Sequence, residues 1–291
     1  MTRSSGIVFF NGFFVAPEDA KVSIFDRGLA YGDGLFETMR SYSGRIFHLQ
    51  WHLERLFLAA EQIFLEFPVT LNEMGHLVEE TRRRNGLQDA VIRLTLTRGA
   101  ASPGLSIPVD ALPTLFIHAR EFEPLPERYY QDGIGISLFP GTGFQIGAQT
   151  RSLKSCNYLS QILIRSAATK EGSFEGVCLD ADKRVSEGTT TNLFIVKSGV
   201  LKTPALNRNV LPGITRRVVL DMAHRLKFPA QETELYEIDL MAADEIFLTN
   251  TGVEILPVTR VAKHKIASGR PGPVTRHLRE QFTAYVDQFN K

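Results

Sequence analysis

The sequence predicts an α+β protein of two domains, a small N-terminal α/β domain and a larger, barrel-like C-terminal α/β domain. Three observations lead there. Strand-like and helix-like patterns alternate along the chain with mostly short links. The 291 residues are enough for two ordinary cores. A run rich in Pro and charge, Glu123 to Arg128, separates stretches of different texture. The expected division is residues 1–122, a linker at 123–130, and residues 131–291.

Each element has its own signal. Ile7 to Phe10 and Phe13 to Val15 flank Asn11-Gly12, a pair that reads as a hairpin turn. After a loop, Leu35 to Tyr42 is a strand, with Arg45 to His48 returning beyond Ser43-Gly44. From Leu49 to Phe64, the residues Leu53, Leu56, Phe57, Ala60 and Phe64 recur at helical spacing, and Leu71 to Asn85 is a second amphipathic helix stopped by Gly86. Val91 to Thr97 and Thr114 to Ala119 are strands enclosing an irregular loop that opens with Arg98. The second half reads as strand 134–139, helix 158–171, strands 175–179 and 192–196, helix 215–226 and strand 245–249.

Composition narrows the function classes. Lys plus Arg total 33 against 32 Asp plus Glu, a net charge of +1, so nothing in bulk favours nucleic acid or an acidic membrane. Cys156 and Cys178 lie in no CxxC or Cys/His cluster, so neither a zinc site nor a disulfide framework is expected, and a reducing cytoplasm fits. The apolar run at Ile7 is too short for a signal or membrane segment.

Three segments carry candidate chemistry. Lys154-Ser155-Cys156-Asn157-Tyr158 places a lysine where a helix begins; alone, it is equally a surface charge. Ser186-Glu187-Gly188-Thr189-Thr190-Thr191-Asn192 sets one acid in a Gly/Thr-rich turn, which a hairpin with a solvated Glu would also do. Leu211-Pro212-Gly213-Ile214-Thr215 is a turn opening a helix, where free N–H groups suit a phosphate, or where Thr215 is a plain cap.

Together, and in this order, these segments resemble the signature of the class-IV aminotransferases, the fold type IV enzymes that use pyridoxal 5'-phosphate (PLP). Asp26 to Thr38, His52-Leu53-Glu54-Arg55-Leu56 and Thr249 to Glu254 extend the resemblance over nearly the whole chain. The resemblance implies that residues 131–291 are the PLP-binding domain and that Lys154 holds the cofactor and moves the proton. It gives Glu187 the pyridine nitrogen, and gives Arg55, Gly213, the amides of Ile214 and Thr215, and Thr251 the phosphate. Tyr158 meets the ring hydroxyl and Leu211 packs on the ring face. A protonated ring nitrogen needs an adjacent carboxylate, and a phosphate suits a guanidinium.

The family holds branched-chain, D-amino-acid and amine transaminases and 4-amino-4-deoxychorismate lyases. Around the substrate the resemblance puts Tyr31, Phe36, Thr38, Arg40, Arg93, Arg98 and Gly252. Val91 stands where branched-chain enzymes have a tyrosine, and Gly104-Leu105-Ser106 lacks the Arg-x-His trap of D-amino-acid enzymes. Thr38 and Leu96-Thr97-Arg98-Gly99 look lyase-like, whereas Ile266 to Thr275 resembles transaminases. The expected reaction is ping-pong transfer between an amino acid or amine and a 2-oxo acid, with the lyase as alternative and a non-catalytic scaffold as the remote one. Carboxylate recognition is expected from Arg98, free to bend from its loop mouth, ahead of Arg40, Arg93 and the Gly252 amide. Family members are mostly homodimers, with a loop here at about 98–108 near the neighbour's site.

Overall fold

The computed structural model describes residues 6–140, 153–206 and 210–290. The opening hairpin forms as Asn-Gly predicts: β1 (Val8–Phe10) and β2 (Phe13–Val15) pair antiparallel across Asn11 and Gly12, both at positive φ. In the stretch expected as loop lies a short helix, α1 (Arg27–Tyr31). Asp26 caps it by accepting from the Gly28 N–H, and Gly32 ends it at φ 70°. Then come β3 (Gly34–Tyr42), β4 (Arg45–Ile46), α2 (Leu49–Gln62), α3 (Leu71–Arg84), β5 (Ala90–Thr97) and β6 (Thr114–Glu121). β4 is shorter than expected because His48 turns left-handed, φ 48°, as the N-cap of α2. Phe64, expected on the buried face of α2, instead follows its end at φ 53° and is 77% exposed. At α3, Thr70 and Glu73 satisfy each other's backbone N–H in a capping box.

These strands form one sheet in the order β2-β1-β6-β5-β3-β4. Side chains alternate across a strand, so Leu35 and Met39 face the helices with Ile92 and Leu94, packing in one core with Leu53, Leu56, Met74 and Val78. The other face carries Phe36, Thr38 and Arg40 beside Thr95, Arg93 and Val91, their register partners on β5.

The chain divides into two compact units. The first takes Met1–Glu123, Leu153–Asn157 and Asn290; the second takes Pro124–Ser152, Tyr158–Phe289 and Lys291. Leu153–Asn157 therefore belongs with the first unit although it lies beyond the 123–130 stretch in sequence.

The second unit contains α4 (Arg128–Gln131), β7 (Ile134–Pro140), α5 (Leu159–Lys170), β8 (Glu175–Leu179), β9 (Val185–Gly188), β10 (Asn192–Lys197) and β11 (Val200–Pro204). It continues with α6 (Ile214–Arg225), β12 (Ala230–Thr233), α7 (Glu237–Met241), β13 (Glu245–Asn250), β14 (Glu254–Val261), β15 (His264–Lys265) and α8 (Pro273–Phe289). The six elements expected here each form within a residue of their expected bounds; β11, β14 and α8 were not foreseen. The strands run β12-β11-β10-β13-β14-β7-β8-β9, with β15 on β14, in a curled half-barrel. One face buries Ile136, Val177, Leu193, Leu248 and Leu256. On the other, Phe194 and Phe247 stack at 4.9 Å on the side where α6 and α8 pack. Among the described residues no helix is long and apolar enough to cross a membrane, and no cluster of His, Cys, Asp and Glu could hold a metal ion.

Candidate active site

In the first unit, the lysine segment docks on β3 through a single antiparallel bridge, Ser155 opposite Leu35. The Phe36 N–H donates to the Lys154 carbonyl and the Cys156 N–H to the Gly34 carbonyl, each at 2.9 Å. Asn157 Nδ2 donates to the carbonyl of Gly32, where a Cβ would lie 2.3 Å from Asn157 Oδ1, so only glycine admits this approach. Lys154 Nζ rests 4.7 Å from the Phe36 ring centroid, and the Arg93 guanidinium lies 3.4 Å from the same centroid. The structure thus brings Lys154, Phe36 and Arg93 together, with Thr38 opposite Arg93.

Beneath β3, Arg55 joins two residues that sequence reasoning missed, Glu37 and His52. Glu37 is fully buried and takes Arg55 Nε on Oε1 and Arg55 Nη2 on Oε2, both at 2.7 Å, with His52 Nδ1 at 2.8 Å from Oε2. Burial works against its charge, but the Arg55 and His52 contacts outweigh that and hold its carboxyl well below the usual range. Burial also pushes the His52 imidazole below its ordinary value, so it is neutral at pH 7 and its Nδ1–H donates to Glu37. The signal was available: Glu37 alternates with Leu35 and Met39 on the helix-facing side of its strand, and a charge there requires partners. His52 and Arg55, one helical turn apart, supply them.

Arg98 overturns an expectation. Placed by sequence at a loop mouth and free to bend over a substrate, it is 5% exposed and fully engaged. Its Nε and Nη2 hold Asp33, while Nη1 and Nη2 also donate to the Phe64 and Ile63 carbonyls. Arg27 shares Asp33 and donates to the Gly104 carbonyl, and the Gly104 N–H donates to the Tyr31 hydroxyl, so the 98–108 loop is fastened to α1. Arg40 stacks on Tyr42 and Phe122 at 4.1 and 3.5 Å from their centroids.

In the second unit, Glu187 sits on β9, and its Oε2 accepts from the Leu211 N–H at 2.8 Å and from Asn192 Nδ2 at 3.1 Å. Asn192 Nδ2 also donates to the Leu211 carbonyl, which fixes the acid against the turn that opens α6. In the turn between β9 and β10, the hydroxyls of Thr189, Thr190 and Thr191 donate to Glu175, which is buried. Gly213 is the N-cap of α6 and provides no side-chain cap to the amides of the first turn, those of buried Ile214 and Thr215 among them. A Cβ at Gly213 would fall 1.9 Å from Asn192 Oδ1. Tyr158 is the N-cap of α5 and half-buried. Thr251 is half-buried in the turn after β13. The Gly252 amide, expected to be available to a carboxylate, is instead donated to Asn250 Oδ1 at 2.8 Å, because Asn250 closes that turn on its own backbone.

The family model for amino-transferase class IV matches residues 34–261. A Methanocaldococcus jannaschii protein, provisionally named a branched-chain-amino-acid aminotransferase, is 40% identical over 275 residues, 94% of each chain. A D-alanine aminotransferase of Staphylococcus epidermidis is 32% identical over 279 residues, 96% of this chain and 97% of its own. A solved branched-chain amino acid aminotransferase of Escherichia coli superposes with a TM-score of 0.90 at 32% identity, covering 96% of this chain and 94% of its own.

Proposed function

The chain belongs to the class IV aminotransferases, and from that membership we propose that it moves amino groups from an amino acid to a 2-oxo acid using PLP. The observation that carries this reading is the seating of Lys154 on β3 with its amine over Phe36 and beside Arg93. When bound, PLP supplies an aldehyde that takes up the amine and a ring that delocalises the electron pair left at the substrate Cα.

Each unit holds groups suited to PLP: the first an amine, the second a carboxylate of fixed orientation and a helix start with no side-chain cap. In this reading residues 131–291 are the main PLP-binding domain, joined through 123–130 to the 1–122 domain. Lys154 would tether the cofactor and carry the proton off the substrate Cα. Glu187 pairs with the pyridine nitrogen, held for it by Leu211 and Asn192. Tyr158 meets the ring hydroxyl, and Arg55, Ile214, Thr215 and Thr251 meet the phosphate. We assign the substrate carboxylate to Arg93, since Arg98 is engaged elsewhere and Arg93 shares the Phe36 ring with Lys154. The donor leaves as its 2-oxo acid before the acceptor enters. We further assign a homodimer, because exposed Ile24, Phe25 and Leu29, and Leu159, Ile162 and Leu163 on α5, are apolar surface of the kind a second copy covers. Cys156 and Cys178, both thiols rather than disulfide-bonded, suit a cytoplasmic setting.

The test is a half-reaction panel on purified, PLP-loaded protein. Stoichiometric 2-oxo acid released from an amino acid supports transamination. Pyruvate released from aminodeoxychorismate with no added 2-oxo acid would mark a lyase. Absence of the bound-cofactor absorbance in wild type, or its persistence in Lys154→Ala, would sink the Lys154 assignment.

A further inference from the structure

We propose that Glu37 is the positioning residue for the cofactor's phosphate anchor, with His52 fixing Glu37 in turn; this rests on the reading that Arg55 meets the phosphate. A guanidinium offers five N–H groups in a rigid plane, so engaging one edge aims the others. Glu37 engages the Nε and Nη2 edge of Arg55 at two points, 2.7 Å each, from β3, whose backbone is paired with β5 along Gly34 to Arg40. A single contact would leave the plane free to pivot; two lock its direction.

The carboxylate itself is held. His52 Nδ1–H donates to Oε2 at 2.8 Å, and both residues are almost wholly buried, at 0% and 1% exposure. Burial keeps the imidazole neutral, so it steadies Glu37 without adding a second positive charge that would compete with Arg55 for the carboxylate. His52 and Arg55 extend from α2, Glu37 from β3, so the triad ties helix to strand within the first unit. An arginine oriented before the anion arrives has less side-chain freedom to lose on binding it, which favours affinity without a new contact.

The experiment is equilibrium dialysis of the full-length enzyme against graded PLP and, separately, pyridoxal, which lacks the phosphate. Glu37→Gln is expected to weaken PLP binding about tenfold, the worth of one charge-assisted hydrogen bond, and to leave pyridoxal unchanged. In an Arg55→Ala background the same substitution is expected to add less than about twofold, because the group it positions is gone. An undiminished loss in that background, an equal loss for pyridoxal, or no loss for PLP would each overturn the proposal while leaving the Arg55 assignment standing. If Arg55→Ala itself leaves the PLP to pyridoxal preference unchanged, the assignment of Arg55 fails and takes the proposal with it. Should Glu37→Gln not fold, the His52 pair decides. His52→Asn, which can keep a donor to Glu37, is expected to retain PLP affinity, and His52→Leu to lose about threefold; equal affinities overturn the role of His52 and of the seat it completes.

Discussion

Arg98 and Asp33 meet through two parallel contacts, Nε to Oδ2 at 2.8 Å and Nη2 to Oδ1 at 3.0 Å, with Arg27 Nε on the same Oδ2 at 2.8 Å. Two cations on one carboxylate, with Arg98 also on the Ile63 and Phe64 carbonyls, join the start of the 98–108 loop to α1 and to the end of α2.

Arg98→Ala should therefore behave as a stability variant. Arg27 still pairs with Asp33, but the Asp33 carboxylate and the Ile63 and Phe64 carbonyls lose their guanidinium donor, each such bond to a charged group being worth about 1.5–3 kcal/mol. A fall in Tm, with similar changes in KM for an amino acid and for 1-phenylethylamine, is expected. A selective rise for the amino acid would return Arg98 to carboxylate recognition.

Acid should destabilise the fold in two stages. Burial pushes His52 below its ordinary 6.5, so the unfolded chain binds a proton there before the native one does, and stability falls as pH drops through that value. Burial opposes the charge of Asp33 and Glu37, but their arginine contacts prevail and hold both below their ordinary 3.8 and 4.5. Their contribution is complete above those values and is lost as pH falls through the lower folded ones. Urea midpoints measured from pH 8 to 3 should show both slopes, with His52→Asn shrinking the upper and Asp33→Asn the lower. Unaltered profiles in both variants would contradict these assignments.

Arg93→Ala should raise KM for amino acids by roughly ten- to a hundredfold, the worth of a charge-assisted contact to a carboxylate, and spare 1-phenylethylamine. The comparison variant is Arg40→Ala, whose guanidinium is stacked on Tyr42 and Phe122. If Arg40→Ala shows the selective loss and Arg93→Ala does not, the carboxylate belongs to Arg40.

Glu187→Gln keeps an acceptor for the Leu211 N–H while removing the charge that would sit by the pyridine nitrogen. Single-turnover rates should fall on the order of a hundredfold or more with PLP still bound. Near-normal turnover would mean that another acid serves the ring.

Much of the secondary structure and of the chemistry was legible in the chain. Alternation along Leu35–Tyr42 located β3, Asn11-Gly12 the first hairpin, and Gly213 the start of α6, because these signals depend on neighbours within a few residues. The edges were less so. Phe64 continued the helical spacing of α2, yet the backbone turns left-handed there and exposes it, since a period cannot report where a helix stops. β14 and α8 went unseen, as did α1, a helix too short for its period to register.

What the sequence by itself determined is therefore the local order: which stretches form strands and helices, and that a lysine, an acid and a helix start recur in the order shared by the class IV aminotransferases. What only the tertiary structure decided is the pairing of charges. Arg98 and Asp33 lie 65 positions apart, and Glu37 and Arg55 18 apart on a strand and a helix. Spacing along the chain cannot say which carboxylate a guanidinium will face, because ion pairing is set by distance through space and by burial, both of which exist only once the chain has folded.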